Sequence, residues 1–170
     1  LSTSGFLFAN ELKGEYIIEV AKFNIGKLFW DIDLTNTDYK IFISLQDRGI
    51  LSGLYKFEGS YEAKGRILNG VLIPSNYKQF WSTKKKKREV GITFHDGSIT
   101  ELEILPHEKE HARIDYIGID NHFDPLSSFL NILIGKEKSK TIDGRRVYSM
   151  VVEKRENDGN TEIKKILIED

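Results

Sequence analysis

"FDPLSSFLNILIGKEK", residues 123–138, is the segment on which the architecture turns, because it reads as a helix with both ends marked in a chain otherwise patterned as strands. Asp124 is a good N-cap, Pro125 is the favoured first helical residue, and Gly135 followed by Lys136 is a C-terminal stop, so the spacing predicts a helix over about 124–134. At 100° per residue, Leu126, Phe129, Leu130, Ile132, Leu133 and Ile134 cover an arc of about 200°, which leaves Ser127, Ser128 and Asn131 for water. A stripe that wide implies burial on more than one side.

Around this helix the chain has an all-β rhythm, with short runs rich in Ile, Val, Phe, Tyr and Thr between turn signals. Strands are expected at 15–22, 27–35, 38–45, 55–64, 66–69, 71–82, 86–94, 98–105, 112–117, 145–155 and 161–169. Asn69 with Gly70, Asp96 with Gly97, and Asp158 with Gly159 supply residues that tolerate the positive φ of tight hairpins, so consecutive strands should pair antiparallel. In "LFWDIDL", Leu28, Trp30, Ile32 and Leu34 alternate with Phe29, Asp31 and Asp33. In "REVGITF", Val90, Ile92 and Phe94 do the same. Such alternation describes a sheet covered on one side and wet on the other, and the helix is the natural cover. The expected fold is therefore mainly β (α+β), a curved antiparallel sheet or half-barrel enclosing one apolar helix. Residues 47–59, "DRGILSGLYKFEG", suit a short helical turn or a connection, with Gly49 and Gly53 weakening the helical reading.

The bulk composition bounds the function classes. A chain of 170 residues fits one β-rich domain over 10–170, and 25 basic against 26 acidic residues argue against a dedicated nucleic-acid binder. The absence of cysteine excludes disulfides, thiolate metal sites and thiol catalysis. No apolar run is long enough to make the protein membrane-spanning. Residues 1–9, "LSTSGFLFA", are small and apolar with Ala9 at a cleavage-like position, which suits the end of a secretory signal peptide and export to the periplasm.

Three motifs could carry chemistry, and each has a simpler explanation. "HEKEH", 107–111, has zinc-ligand spacing but sits between Pro106 and a strand-like run, where no helix would bring its histidines together, so no metal is expected there. "DIDLTNTD", 31–38, lacks the central Gly and terminal Glu of a calcium loop. "KKKKRE", 84–89, reads first as a charged hairpin end guarding a sheet edge, and second as a contact for anionic headgroups. There is no nucleophile elbow, no phosphate-cradling Gly loop and no Ser-His-Asp arrangement among His95, His107, His111 and His122, so no catalytic residue and no cofactor are expected. Asp124 with Ser127 is explained as helix capping.

"YIIEVAKFNIGKLFWDIDL", "LSGLYKFEGSYEAKGRILNGVLIPSNY", "KKREVGITFHDG", "FDPLSSFL" and "TIDGRRVY", taken together, resemble an exported bacterial family of uncharacterised activity, domain of unknown function 3108 (DUF3108). The resemblance runs from Tyr16 to Val151, and its most specific parts are Asp124, Pro125, Leu126 and Ser127 at the helix start and Asp143, Gly144 and Arg145 at a turn. It implies an envelope protein made with a signal peptide, and it implies no activity. A looser fold analogy links a sheet with a lid helix to the periplasmic lipoprotein carriers of the Lol system. The resulting expectation is a non-catalytic protein that binds an acyl chain, lipid or other hydrophobic ligand in a half-barrel lined by Trp30, Phe57, Phe94, Leu126, Phe129, Leu130 and Leu133. The competing expectation is a module with a filled core that recognises an envelope protein partner from its surface.

Overall fold

The computed structural model describes residues 10–20, 23–47, 56–107, 116, 119–158 and 161–169. Seven strands run up and down in sequence order: β1 (Asn10–Val20), β2 (Phe23–Leu34), β3 (Asp38–Asp47), β4 (Phe57–Leu68), β5 (Val71–Thr83), β6 (Lys87–His95) and β7 (Ser98–Leu105). Helix α1 (Pro125–Leu133) follows, and then β8 (Lys138–Ile142), β9 (Val147–Asp158) and β10 (Thr161–Glu169) form a second sheet in the order β10-β9-β8. Every strand-to-strand pairing within the two sheets is antiparallel. The large sheet is open, with β1 and β7 at its two edges. The helix packs against β4 and β5 on one side and against β8 and β9 on the other.

Alternation sets which face is covered. Register places Ile32, Ile41, Ala63, Tyr77, Ile92 and Leu102 in one row across β2 to β7, and all but the half-buried Leu102 are at most 2% exposed. Trp30, Ile43, Tyr61, Gln79, Val90 and Ile104 make the next row on the same face. Leu126 and Leu130 of the helix close over these rows and join their cluster. Burying several such side chains, at roughly 2 kcal/mol each, supplies the main drive for the two layers to associate.

Two parts of the expected strand pattern change. The runs at 55–64 and 66–69 are one strand, β4, with a register shift between Lys64 and Gly65. Gly65 reads as a break in sequence, but its missing side chain is a packing requirement: a Cβ there would lie 2.3 Å from the Ile73 carbonyl oxygen and 2.7 Å from the Tyr39 ring. The bulge lets the strand continue past a ring that occupies the glycine's face. The second change is β8, "KSKTI", which lacks an apolar alternation because its inward residues are the hydroxyl-bearing Ser139 and Thr141, both buried. The paired glycines at tight turns behave as read, with Asn69 and Gly70 at φ of 51° and 74° and Asp96 and Gly97 at 47° and 84°. Of the expected strand at 112–117 only Tyr116 is described, and residues 1–9, Gly159 and the ambiguous 48–55 lie outside the described residues.

Replacing Gly65 by Ala is expected to lower the unfolding free energy by about 2–4 kcal/mol, since carbonyl and ring must both move. Urea unfolding checks this; a loss under about 0.5 kcal/mol, the range of a neutral surface change, would contradict the packing role.

Candidate functional site

The helix start is built from its cap. Asp124, extended at φ −64° and ψ 163°, accepts at Oδ1 from the backbone N–H of Leu126 at 3.0 Å and of Ser127 at 2.9 Å. Its other oxygen, Oδ2, accepts from the Ser127 hydroxyl at 2.5 Å, and Tyr39 of β3 donates its phenol to Ser127 Oγ at 2.7 Å. Tyr39, Ser127 and Asp124 therefore form one proton-ordered line from the large sheet into the cap. All three side chains are buried. Just before the helix, Phe123 pairs with β8 through its N–H to the Lys140 carbonyl and through its carbonyl to the Ile142 N–H, each 2.9 Å.

The next helical turn continues the polar contact toward the small sheet. Thr141 donates to Ser128 Oγ at 2.7 Å, Ser139 donates to the same oxygen at 3.1 Å, and Asn131 Nδ2 lies 3.5 Å from Ser139 Oγ. Ser128 has its own proton left for the Lys140 carbonyl at 3.4 Å. Every hydroxyl in this seam has a role as donor or acceptor, which is the condition for burying them without a large penalty.

This arrangement reverses the expected orientation of the helix. Ser127, Ser128 and Asn131 are buried, not wet, whereas Leu133 and Ile134 are 39% and 46% exposed and Phe129 is half-buried. The reason is that β8 offers hydroxyls at the matching positions, so the polar stripe has partners that an apolar one would lack. The expectation of burial on more than one side holds, with an arc of about 240° covered from Leu126 round to Ile132.

The residues expected to line a ligand cavity are divided. Phe94, Leu126 and Leu130 belong to the buried cluster and Trp30 packs against it, while Phe57 and Phe129 are half-buried outside it and Leu133 faces out. The turn residues fare differently. Asp143 Oδ1 accepts from the N–H groups of Arg145 at 2.9 Å and Arg146 at 3.0 Å, and Gly144 takes φ +88°. A Cβ on Gly144 would meet Val90 Cγ1 at 2.9 Å, so this turn between β8 and β9 sits directly on β6.

The docked turn brings Arg145 to the basic run singled out at 84–89, and the two help form a groove. Arg145 lines it together with Trp81, Lys85, Lys86, Lys87, Arg88, Pro106 and His107, around a volume of about 610 Å³. A second groove of about 350 Å³ lies on the opposite face of the large sheet, with Phe42, Phe80 and Leu105 among Glu62, Lys78, Glu89 and Glu103. Phe29, diagonal to Phe42 on the same face, has its ring centroid 6.5 Å from that of Phe42.

The helix seam supports the docking of the two sheets. Ser127 has an acidic neighbour, but both are sealed from solvent, and His122 directs Nδ1 to the Asp120 carbonyl at 2.8 Å. Burial and the Asp124 charge both push the Tyr39 phenol up; Tyr77 is raised for the same two reasons, and Tyr148 rises to about 12 through burial and Asp143. These phenols stay protonated as donors. Burial also raises the Asp124 carboxyl, from 3.8 to about 6, against the opposing hydrogen bonds from Ser127 and the Leu126 and Ser127 amides. Of the expected metal motifs, His107 lines the basic groove while the rest of "HEKEH" lies outside the described residues. The 31–38 stretch ends in a threonine-anchored turn, where Thr35 Oγ1 accepts from Asp38 N–H at 2.9 Å. Comparison with family models, with curated proteins and with solved structures gives no match to this chain.

A carboxyl raised in the folded state favours folding only while protonated there. Its contribution is complete below about pH 3.8 and is lost as pH rises through about 6. The Asp124→Asn variant keeps a capping oxygen without the charge, so its stability relative to the parent should improve by about 2 kcal/mol between about pH 4 and pH 7. Parallel urea titrations at the two pH values check this, and an unchanged difference would contradict the raised carboxyl.

Proposed function

We propose that the protein is a non-catalytic binding module of the bacterial envelope, with a filled interior and with recognition carried on its surface. The observation that carries this reading is the helix: its apolar residues Leu126 and Leu130 are packed into the core, and its polar stripe is occupied by hydrogen bonds to Tyr39, Ser139 and Thr141. A lid that must lift to admit a guest would break that seam, leaving buried hydroxyls at about 1–3 kcal/mol each. The basic side chains gathered from two distant turns supply a surface with a definite chemical preference. Export to the periplasm is part of this proposal, supported by the composition of residues 1–9 and by the resemblance set out above.

Carriage of an acyl chain or lipid is the second reading. In its favour, Leu133 and Ile134 are exposed beside the half-buried Phe129, leaving an apolar ridge at the end of the helix. Native mass spectrometry of protein exported into a bacterial periplasm and purified without detergent separates the two. The surface-binding reading expects the bare chain mass after incubation with fatty acid or with uncharged phospholipid. A stoichiometric adduct that extracts as either would overturn it and establish carriage.

A further inference from the structure

The basic groove deepens the surface-binding reading by naming a ligand. The chain is close to electrically balanced, with 25 basic and 26 acidic residues, yet Lys85, Lys86, Lys87, Arg88, His107 and Arg145 line one concavity whose other lining residues, among those described, are Trp81 and Pro106. Lys87 contributes its backbone side only, since its ammonium lies 5.2 Å from the centre of the Phe80 ring and 3.0 Å from Glu89 on the other face of the sheet. Among the described residues the rest of the lining is positive or uncharged. Segregation of charge on this scale inside a concave surface raises the local concentration of anions.

The cations are also placed by structure. At the end of β5, Thr83 N–H donates to the Lys86 carbonyl at 2.7 Å and Thr83 Oγ1 accepts from Lys86 N–H at 3.1 Å, so the lysine run leaves the strand through an ordered turn. Arg145 comes from the other sheet. Its backbone is held by Asp143, and the close approach of Gly144 to Val90 fixes the distance between that turn and β6. Trp81, half-buried, adds an apolar surface beside the charges.

We propose that this groove is a binding site for a phosphoester-bearing ligand, with Arg145, Arg88, Lys85 and Lys86 around the phosphate and Trp81 against its organic part. Arginine matches phosphate oxygens with paired donors, lysine adds compact charge, and an indole face accepts a glycerol or sugar body. A volume of about 610 Å³ falls within the usual range of small-ligand sites and holds one headgroup-sized anion. The phosphoester can belong to a soluble metabolite or to the headgroup of an anionic phospholipid, and the probes distinguish these.

The test uses the full chain with two probes: glycerol 1-phosphate by titration calorimetry, and phosphatidylcholine vesicles with about one quarter phosphatidylglycerol by cosedimentation against pure phosphatidylcholine. The variants are Arg145→Gln and, as a charge control on β3 away from the groove, Lys40→Gln. Arg145 is exposed and its backbone supports the turn, so circular dichroism should show an intact fold. The expected result is binding of at least one probe, weakened about ten-fold by Arg145→Gln and unaltered by Lys40→Gln. Binding of glycerol 1-phosphate assigns a soluble source, and binding of the charged vesicles alone assigns a lipid headgroup. No binding of either probe, or binding that Arg145→Gln leaves intact or that both variants weaken equally, overturns the proposal. A fatty-acid or uncharged-lipid adduct in the native mass that persists in Arg145→Gln would defeat the filled interior without touching this result, so the two failures are distinguishable.

Discussion

The hydrogen-bonded seam around α1 is the constraint on which the rest of the structure depends. A helix of nine residues has no stability of its own in water, so its position must come from what it touches. Leu126 and Leu130 supply the apolar part of that contact, which is strong but indifferent to small rotations. The polar part is directional. Tyr39 through Ser127 to Asp124 ties the helix to the large sheet, and Ser128 with Ser139, Thr141 and Asn131 ties it to the small one. Rotating the helix by one residue would leave several of these groups buried without partners, at about 1–3 kcal/mol each. The seam therefore selects one orientation of helix and sheets.

That selection reaches the surface. Because Phe123 is paired to β8 and the helix is locked to both sheets, the turn after β8 is delivered onto β6. Arg145 thereby comes beside Arg88 and the lysine run, although 57 positions separate the two arginines in sequence. The groove is a consequence of how the layers dock. The packed face of the helix and the basic groove then follow from one packing arrangement.

The strands of the large sheet were readable because their alternation is apolar: Trp30, Ile32, Val90, Ile92 and Phe94 all take the face that their spacing assigns. The helix ends were readable because Asp124, Pro125 and Gly135 act through local backbone chemistry. What stayed hidden was polar and tertiary. Hydrophobic periodicity places Ser127, Ser128 and Asn131 in water, since it cannot know that Ser139 and Thr141 wait opposite them. The same blindness concealed β8 as a strand, and it read Gly65 as an interruption where Tyr39 needed space. The lysine run was visible, but its partner Arg145 appears only once the fold brings the turns together. No local signal in the sequence marks that convergence.

The central claim, that a continuous polar line joins the large sheet to the helix and fixes its rotation, is tested most directly by a double-mutant cycle on Tyr39→Phe and Ser127→Ala. Each substitution removes a hydroxyl with little change of shape, and unfolding in urea at a pH well above that at which Asp124 titrates measures each loss. If the line is continuous, the two effects are coupled by about 1–2 kcal/mol, because the second removal finds the network already broken. Effects that add to within about 0.3 kcal/mol would mean that Tyr39 and Ser127 do not share a hydrogen bond, and the seam would no longer account for the position of the helix.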